Sequence, residues 1–382
     1  ANQENASGVF WNRRYAAGER AVDTAIKEQL RAEGVAVESF GANVLIEPWE
    51  IATGQGKPYS VFTPFWKTLK QRHIEQPMDS PPAGKARSVR AVDDGYAEPH
   101  WAAKLSGHWY VGEKAARRTL ADFLDYRVGR YPDERDLPDS DATSNLSPHL
   151  RFGEISPRQI WQAANMAADI APENAGAIDK FLSELAWRDF SYHQLYHRCD
   201  IAQEPMQAKY AGMAWRDAAD DLRAWQRGQT GLPMIDAGMR ELWETGYMHN
   251  RVRMLVASLL SKNLLIDWRQ GENWFWDCLV DGDVASNPAS WQWVAGSGLD
   301  AAPYFRIFNP VTQGGRFDAE GAYVRRWVPE LAAMPDKWVH TPWQAPAEVL
   351  KAAHVQIGTT YPAPIVDLKA SRERALQAAS AL

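Results

Sequence analysis

Thr143, Ser144 and Ser147 place three hydroxyls just ahead of Pro148, and Ser147-Pro148 can open a helix with Ser as N-cap and Pro as first helical residue. The free N–H groups and positive dipole end of such a helix favour an anion, so this turn could hold a phosphate; a plain capped helix would use the same residues. A second patch, ELAWRDF, carries Glu184, Trp187 and Arg188 on one helix. Glu184 and Arg188 stand four apart, so an ion pair beside a core Trp is the simplest structural reading. In GYMHNRVRML, Asn250 and Met254 share a helix face, Arg253 lies close to it and Arg251 turns away. In DGDVASNPASWQW, Asp281, Asp283 and Asn287 lead into Trp291 and Trp293. Asn287-Pro288 reads as N-cap and first helical residue, with Gly296 and Gly298 ending the helix. Residues two apart on a helix diverge by about 200°, so these two rings serve different sides of the segment.

The common catalytic templates are missing. Gly296-Ser297-Gly298 lacks the frame of a nucleophile elbow, Gly56-Lys57 is followed by Pro58 rather than the rest of a P-loop, and no GxGxxG occurs. His193 and His197 have the spacing of metal ligands, but HQLYH lacks the zincin glutamate and a third ligand. They read as ordinary helix histidines, and no metal site is expected.

Composition sets the outer bounds. The chain has 382 residues, 45% of them hydrophobic, enough for two or three domains. Its 18 Trp residues are an excess that core packing, stacking platforms or a redox path could each use. A net charge of −6 argues against indiscriminate nucleic-acid binding while allowing a local basic groove. Cys199 and Cys278 form no disulfide framework or CxxC site. No apolar run approaches the roughly 18 residues of a membrane span, and the opening ANQENASGVFW is not a signal peptide. A cytoplasmic location is expected.

The elements that must hold these patches divide in two. GVFWN (8–12) reads as a short buried strand. Residues 20–33 read as a helix with Val22, Ile26 and Leu30 on its apolar stripe, ended by Gly34, and VAVESFGANVLI as a second strand region. Strand–helix–strand implies a parallel sheet. Two strands make a small sheet, so this part is expected to be the end of an α/β domain whose beginning precedes the chain. Residues 76–112, rich in Pro, Gly and charge, read as a connector. From 113 onward the pattern is helical, with Ser156-Pro157 as another helix start, long runs at 178–198, 233–246 and 248–266, and a polar loop near 133–144. The expected fold is an incomplete α/β domain at 1–75, a connector at 76–112 and a large all-α domain at 113–382.

Five stretches, TSNLSP, ELAWRDF, GYMHNRVRM, LLIDWRQGE and DGDVASNPASWQWVAGSGLDAAPYFRIFNPVTQGGRFD, together resemble the flavin-binding half of the DNA photolyase/cryptochrome family. Within that family the chain is most similar to bacterial photolyases for cyclobutane pyrimidine dimers, of class I or class III. The resemblance implies an enzyme, a deoxyribodipyrimidine photo-lyase that binds FAD in its helical domain and acts as a monomer on UV-damaged DNA. It places Tyr131, Thr143, Ser144, Leu146, Ser147, Arg188 and Arg253 around the cofactor, with Asp281, Asp283 and Asn287. Asp281 is expected to pair with Arg253, and Asn287 to lie beside flavin N5. Trp187 and Trp293 match the pair that sandwiches the flipped dimer, Glu184 and Asn250 the residues that bond its base edges, and Met254 a side chain packed on it. Family members that repair (6-4) lesions carry histidines at the positions of Asn250 and Met254. Trp291, Trp268 and Trp215 match the relay that reduces the flavin. Arg251, Arg306 and Arg316 are candidates for the DNA-facing rim. Glu19 matches a contact to a second, antenna chromophore of folate or deazaflavin type, but Gly18 replaces the usual asparagine beside it. The alternatives are a cryptochrome-type photoreceptor without repair and a light-independent helical nucleic-acid-binding module.

Overall fold

The computed structural model describes residues 6–78, 95 and 97–382. Gly8–Asn12 (β1) pairs in parallel with Ala36–Phe40 (β2), Gly8 opposite Ala36 and Asn12 opposite Phe40, and Ala17–Ala32 (α1) makes the crossover. Gly34 follows that helix with a φ of 76°, the left-handed stop a glycine supplies without strain. The parallel unit is as expected, but two details differ. β1 is not buried: Phe10 is 60% exposed and packs on Phe40 across the open face of the pair. The stripe of α1 does not face a core either, since Val22 and Ile26 are exposed. The buried residue of α1 is Asp23, held by the Arg14 guanidinium. Two strands present too little area to cover both a sheet face and a helix stripe.

Phe62–Leu69 (α2) buries Phe62, Phe65 and Leu69. Of the expected connector, residues 79–94 and 96 lie outside the described residues, and Ala102–Ser106 (α3) is a short helix within it. Glu113–Tyr126 (α4), Tyr131–Glu134 (α5), Ser147–Phe152 (α6), Pro157–Ile170 (α7) and Ala175–His197 (α8) follow. Ser156 caps α7 in a reciprocal box with Gln159, at 3.2 and 2.8 Å. Ser147 does not cap α6: it is the first helical residue, Leu146 stands at the N-cap, and no side chain caps that end. α8 is buried on nearly all sides rather than along one stripe, because α2, α5, α7 and the later helix Ser286–Ala295 all pack on it.

Ala219–Gln226 (α9), Pro233–Thr245 (α10), Asn250–Ser258 (α11), Trp268–Cys278 (α12), Ser286–Ala295 (α13) and Pro310–Phe317 (α14) build the main core. The run expected at 248–266 is not one helix. After α11, Leu259–Asn263 widens into a π-helix. This drives Lys262 into the interior, where its ammonium donates to the Arg306 carbonyl at 3.1 Å and burial pulls its pKa down to about 7. Four further helices, Ala322–Trp327, Asp336–Val339, Ala347–Ala352 and Leu368–Ser380, complete the helical part. A second core gathers α2, α4, α7 and part of α8. The functional cavity opens where the two cores meet.

Candidate functional site

The cavity has a volume of about 510 Å³ and takes its lining from both cores. Tyr131, Ser144, Leu146, Ser147, Glu184, Trp187, Arg188, Asn250, Arg253, Met254, Asp281, Asp283, Asn287, Trp291 and Trp293 all line it. Besides Trp291, expected in the relay, these are all but one of the residues expected at a cofactor or substrate pocket. The exception is Thr143, whose hydroxyl bonds the Asn145 side chain at 3.3 Å.

One wall is a charged and hydroxylated floor. The Asp281 carboxylate receives Arg253 at 2.9 Å and the Ser147 hydroxyl at 2.7 Å, so the expected Asp281–Arg253 pair is present. Asn145, with a φ of 55°, turns the chain between Ser144 and Leu146. The following helix has only six residues, so its dipole is short, but its uncapped first turn leaves backbone donors at the cavity. Arg188 does not pair with Glu184 as the i, i+4 spacing allowed. It donates to the Asn43 carbonyl, stands over the Tyr192 ring and faces Asp283 at 4.0 Å.

Asn287 does not cap α13: Ala285 stands at the N-cap, and Asp283, two residues earlier, steadies the approach with its Oδ1, which accepts the N–H groups of Ala285 and Ser286 at 2.9 and 2.7 Å. Asn287 lies one residue inside the helix and is free for another task. Its amide nitrogen donates to the Glu272 carboxyl at 2.9 Å and to the Glu272 carbonyl at 3.1 Å. That fixes the amide with its oxygen away from Glu272. Burial pushes the Glu272 carboxyl up to about 6, only partly offset by the Asn287 bond. Trp291 is 2% exposed and packs edge-on against Phe275 at 5.1 Å. Its ring nests where Gly271 has no side chain; a Cβ there would meet the indole at 2.1 Å.

The other expected lining residues are aromatic and amphipathic. Trp187 and Trp293 are both partly exposed, as is Met254, and Asn250 is exposed at the start of α11. Glu184 is held by Arg135 and by Lys180, the latter at 2.7 Å. Burial alone would raise the Glu184 carboxyl, but the Arg135 hydrogen bond and charge, with Lys180, outweigh it and hold it below the usual range. Arg135, Glu272 and Phe275 are site residues that sequence reasoning missed. RDLP and NWF carry no motif, and LLIDWRQGE ends on Glu272 without giving it a task, so it is their approach across the fold that reveals them.

The other expected residues lie outside the cavity. Trp268 is buried at the start of α12, and Trp215 is half-buried in a loop packed on the same core. The ring nearest Trp291 after Phe275 is Trp225, at 6.2 Å. Arg251 pairs with Asp136 at 2.5 Å and lies over the Phe317 ring, which Arg316 also covers. Arg306 and Arg316 are exposed and form no ion pair among the described residues. His193 accepts the Tyr59 N–H at 2.9 Å, and its partner His197 approaches the Pro48 carbonyl at 3.3 Å, so both imidazoles have structural tasks. Glu19 bonds the start of its own helix through the Ala16 N–H at 3.4 Å.

Two family models match this chain: the FAD binding domain of DNA photolyase over residues 181–381 and DNA photolyase over 1–83. The chain belongs to the DNA photolyase family. A photolyase-family neighbour of known structure, a bacterial class III photolyase from Agrobacterium tumefaciens, superposes with a TM-score of 0.93 at 46% identity, covering 100% of this chain and 80% of that one. The deoxyribodipyrimidine photo-lyase of Agrobacterium fabrum is 46% identical over 100% of this chain and 81% of its own length. Cryptochrome-2 of Arabidopsis thaliana is 36% identical over 98% of this chain and 64% of its own. FAD is the cofactor of this photolyase domain, and the cavity fits it. The size is that of a cofactor site, charged and hydroxyl groups line it, and the buried Trp291 indole N–H has no partner among the described residues.

Proposed function

We propose that this photolyase repairs cyclobutane pyrimidine dimers in UV-damaged DNA, acting as a cytoplasmic monomer with the helical region from 113 as its catalytic domain. When bound, reduced FAD supplies on excitation by light the electron that opens the dimer, and takes it back afterwards. Two carbon–carbon bonds of the cyclobutane ring break, and no net oxidation or reduction results. The convergence of Trp187, Trp293, Glu184, Asn250 and Met254 on one cavity is the observation that carries this reading.

The dimer is poorly stacked and poorly paired, so extruding it costs less than extruding an ordinary base. Trp187 and Trp293 receive it by stacking, and Asn250 and Glu184 hold its base edges while Met254 packs against it. Glu184, kept anionic by Arg135 and Lys180, accepts hydrogen bonds from base N–H groups. Arg135, which does not line the cavity, acts through Glu184 by holding its carboxylate in place. Ser147, Asp281 and Arg253 orient the cofactor, and Asn287, locked by Glu272, presents its amide oxygen to it. Trp215, Trp268 and Trp291 pass an electron inward to restore the reduced state. Arg306 and Arg316, unpaired at the surface, meet the DNA backbone. A second, light-collecting chromophore of folate or deazaflavin type is compatible with the family, and Glu19 is its candidate contact.

A cryptochrome-type photoreceptor is the competing reading, favoured by the likeness to Cryptochrome-2. One measurement separates them. The purified protein with reduced FAD is illuminated with an oligonucleotide holding one thymine dimer, and thymine absorbance near 260 nm is followed. Light-dependent recovery at catalytic protein concentrations is expected; a flavin spectrum with no recovery establishes the photoreceptor.

A further inference from the structure

Phe62 stacks on Trp187 with ring centroids 3.8 Å apart and planes 11° from parallel. Trp187 lines the cavity and Phe62 does not, so Phe62 covers the Trp187 face turned away from it. Phe190 closes the arrangement edge-on to both, at 5.9 Å from Phe62 and 5.8 Å from Trp187. Phe62 is itself held in place. It is the first residue of α2, whose N-cap Val61 offers no side-chain cap. Its N–H is instead accepted by Asp300 at 2.6 Å, from a residue 238 positions away on the loop that follows α13 and Trp293. Asp300 also lines the cavity. One hydrogen bond therefore ties the backing ring of Trp187 to the loop beside Trp293.

From this we infer that Phe62 is a positioning residue for lesion recognition: it fixes the plane of Trp187 so that the indole presents one flat face to an extruded dimer, while Asp300 sets the spacing to the Trp293 side. An indole with both faces free could tilt, and a stacking surface that tilts must be ordered when the lesion binds. A parallel aromatic partner at this distance removes that freedom in advance. The inference rests on the proposed stacking role of Trp187.

Binding titrations with the FAD-bound protein test it, using a duplex with one thymine dimer and its undamaged counterpart at one salt concentration. Phe62→Leu keeps an apolar side chain in the core but removes the ring. It should weaken dimer binding by roughly three- to ten-fold, the range of an aromatic pair, and leave undamaged DNA unaffected. Phe62→Tyr should restore dimer binding, because the ring returns. In a Trp187→Ala background, Phe62→Leu should cause no further loss. Should Phe62→Leu fail to retain FAD, Phe62→Met provides the same ring deletion in a more adaptable side chain. Wild-type dimer affinity in the ring-deleted variant overturns the inference when Trp187→Ala weakens binding. So does an equal loss on both DNAs, or an undiminished loss in the Trp187→Ala background. If Trp187→Ala itself leaves dimer binding intact, the lesion-stacking reading has failed and the inference falls with it.

Discussion

Trp291 and Trp293 leave α13 in different directions and meet different surroundings. Trp291 is 2% exposed among Phe275, Trp225 and Gly271, whereas Trp293 is partly exposed at the cavity wall. Spacing alone required them to diverge, and the fold decided which one is enclosed. Trp293→Ala should lower affinity for dimer-containing DNA by about ten- to a hundred-fold, the value of one stacking contact. Affinity for undamaged DNA, which rests on phosphate contacts, should hardly change. FAD content should survive as well, so titrations on both duplexes at fixed salt measure the lesion contact by itself. Equal losses on both would reassign Trp293 to the fold or the DNA backbone. Asn287 carries a related lesson. Sequence order suggested an N-cap, but the helix starts at Ser286, ahead of Asn287, whose amide goes to Glu272.

At the scale of elements, α12 and α13 are pressed together at Gly271, which seats the Trp291 ring one turn from Trp268. Trp291 and Trp268 belong to one core, and the half-buried Trp215 packs against it. Trp268→Phe should block photoreduction of oxidised FAD while leaving dimer repair intact once the flavin is reduced chemically. The reason is that in the proposed repair the electron passes directly between cofactor and lesion. Transient absorption after a light pulse checks the first part and a repair assay under dithionite the second; wild-type photoreduction would move the relay elsewhere, with Trp225 the nearest indole to Trp291. The breaks between elements were the least legible feature. Nothing in LLSKNLLIDW announces a π-helix, because its wider turn depends on the Leu368–Ser380 helix packing against it.

Across the whole molecule, buried polar bonds join the N-terminal segment to α8. Asp189 accepts the Leu45 N–H with both carboxylate oxygens at 2.9 Å, Arg188 donates to the Asn43 carbonyl, and Tyr59 donates to His193. Burial pushes the Asp189 carboxyl up to about 7, against the pull of Arg188 and the Leu45 bond. A carboxyl whose folded pKa is raised binds its proton more tightly in the folded state. Stability is therefore lost as pH rises from the ordinary carboxylate range toward 7. Asp189→Asn keeps an acceptor for Leu45 and removes the charge. Its melting temperature should match the wild type near pH 4 and exceed it near pH 7, by an amount equivalent to a few kcal/mol at most, roughly. A constant difference across that range would show that Asp189 does not titrate in the folded protein.

The sequence by itself determined the family, the FAD-binding helical part and the parallel strand pair, and it named just under half of the residues that line the cavity. It could do so because those residues sit in short motifs whose chemistry is local: hydroxyls before a helix, an i, i+4 face, two indoles on one turn. Only the tertiary structure decided the partners. Glu184 went to Arg135 and Lys180 rather than to Arg188, Asn287 to Glu272, and Trp187 to Phe62. Each of these choices, the Lys180 pair apart, joins residues 15 to 125 positions apart. At such separations spacing along the chain says nothing about contact, and the outcome is set by how helices pack and which buried polar groups must find a partner.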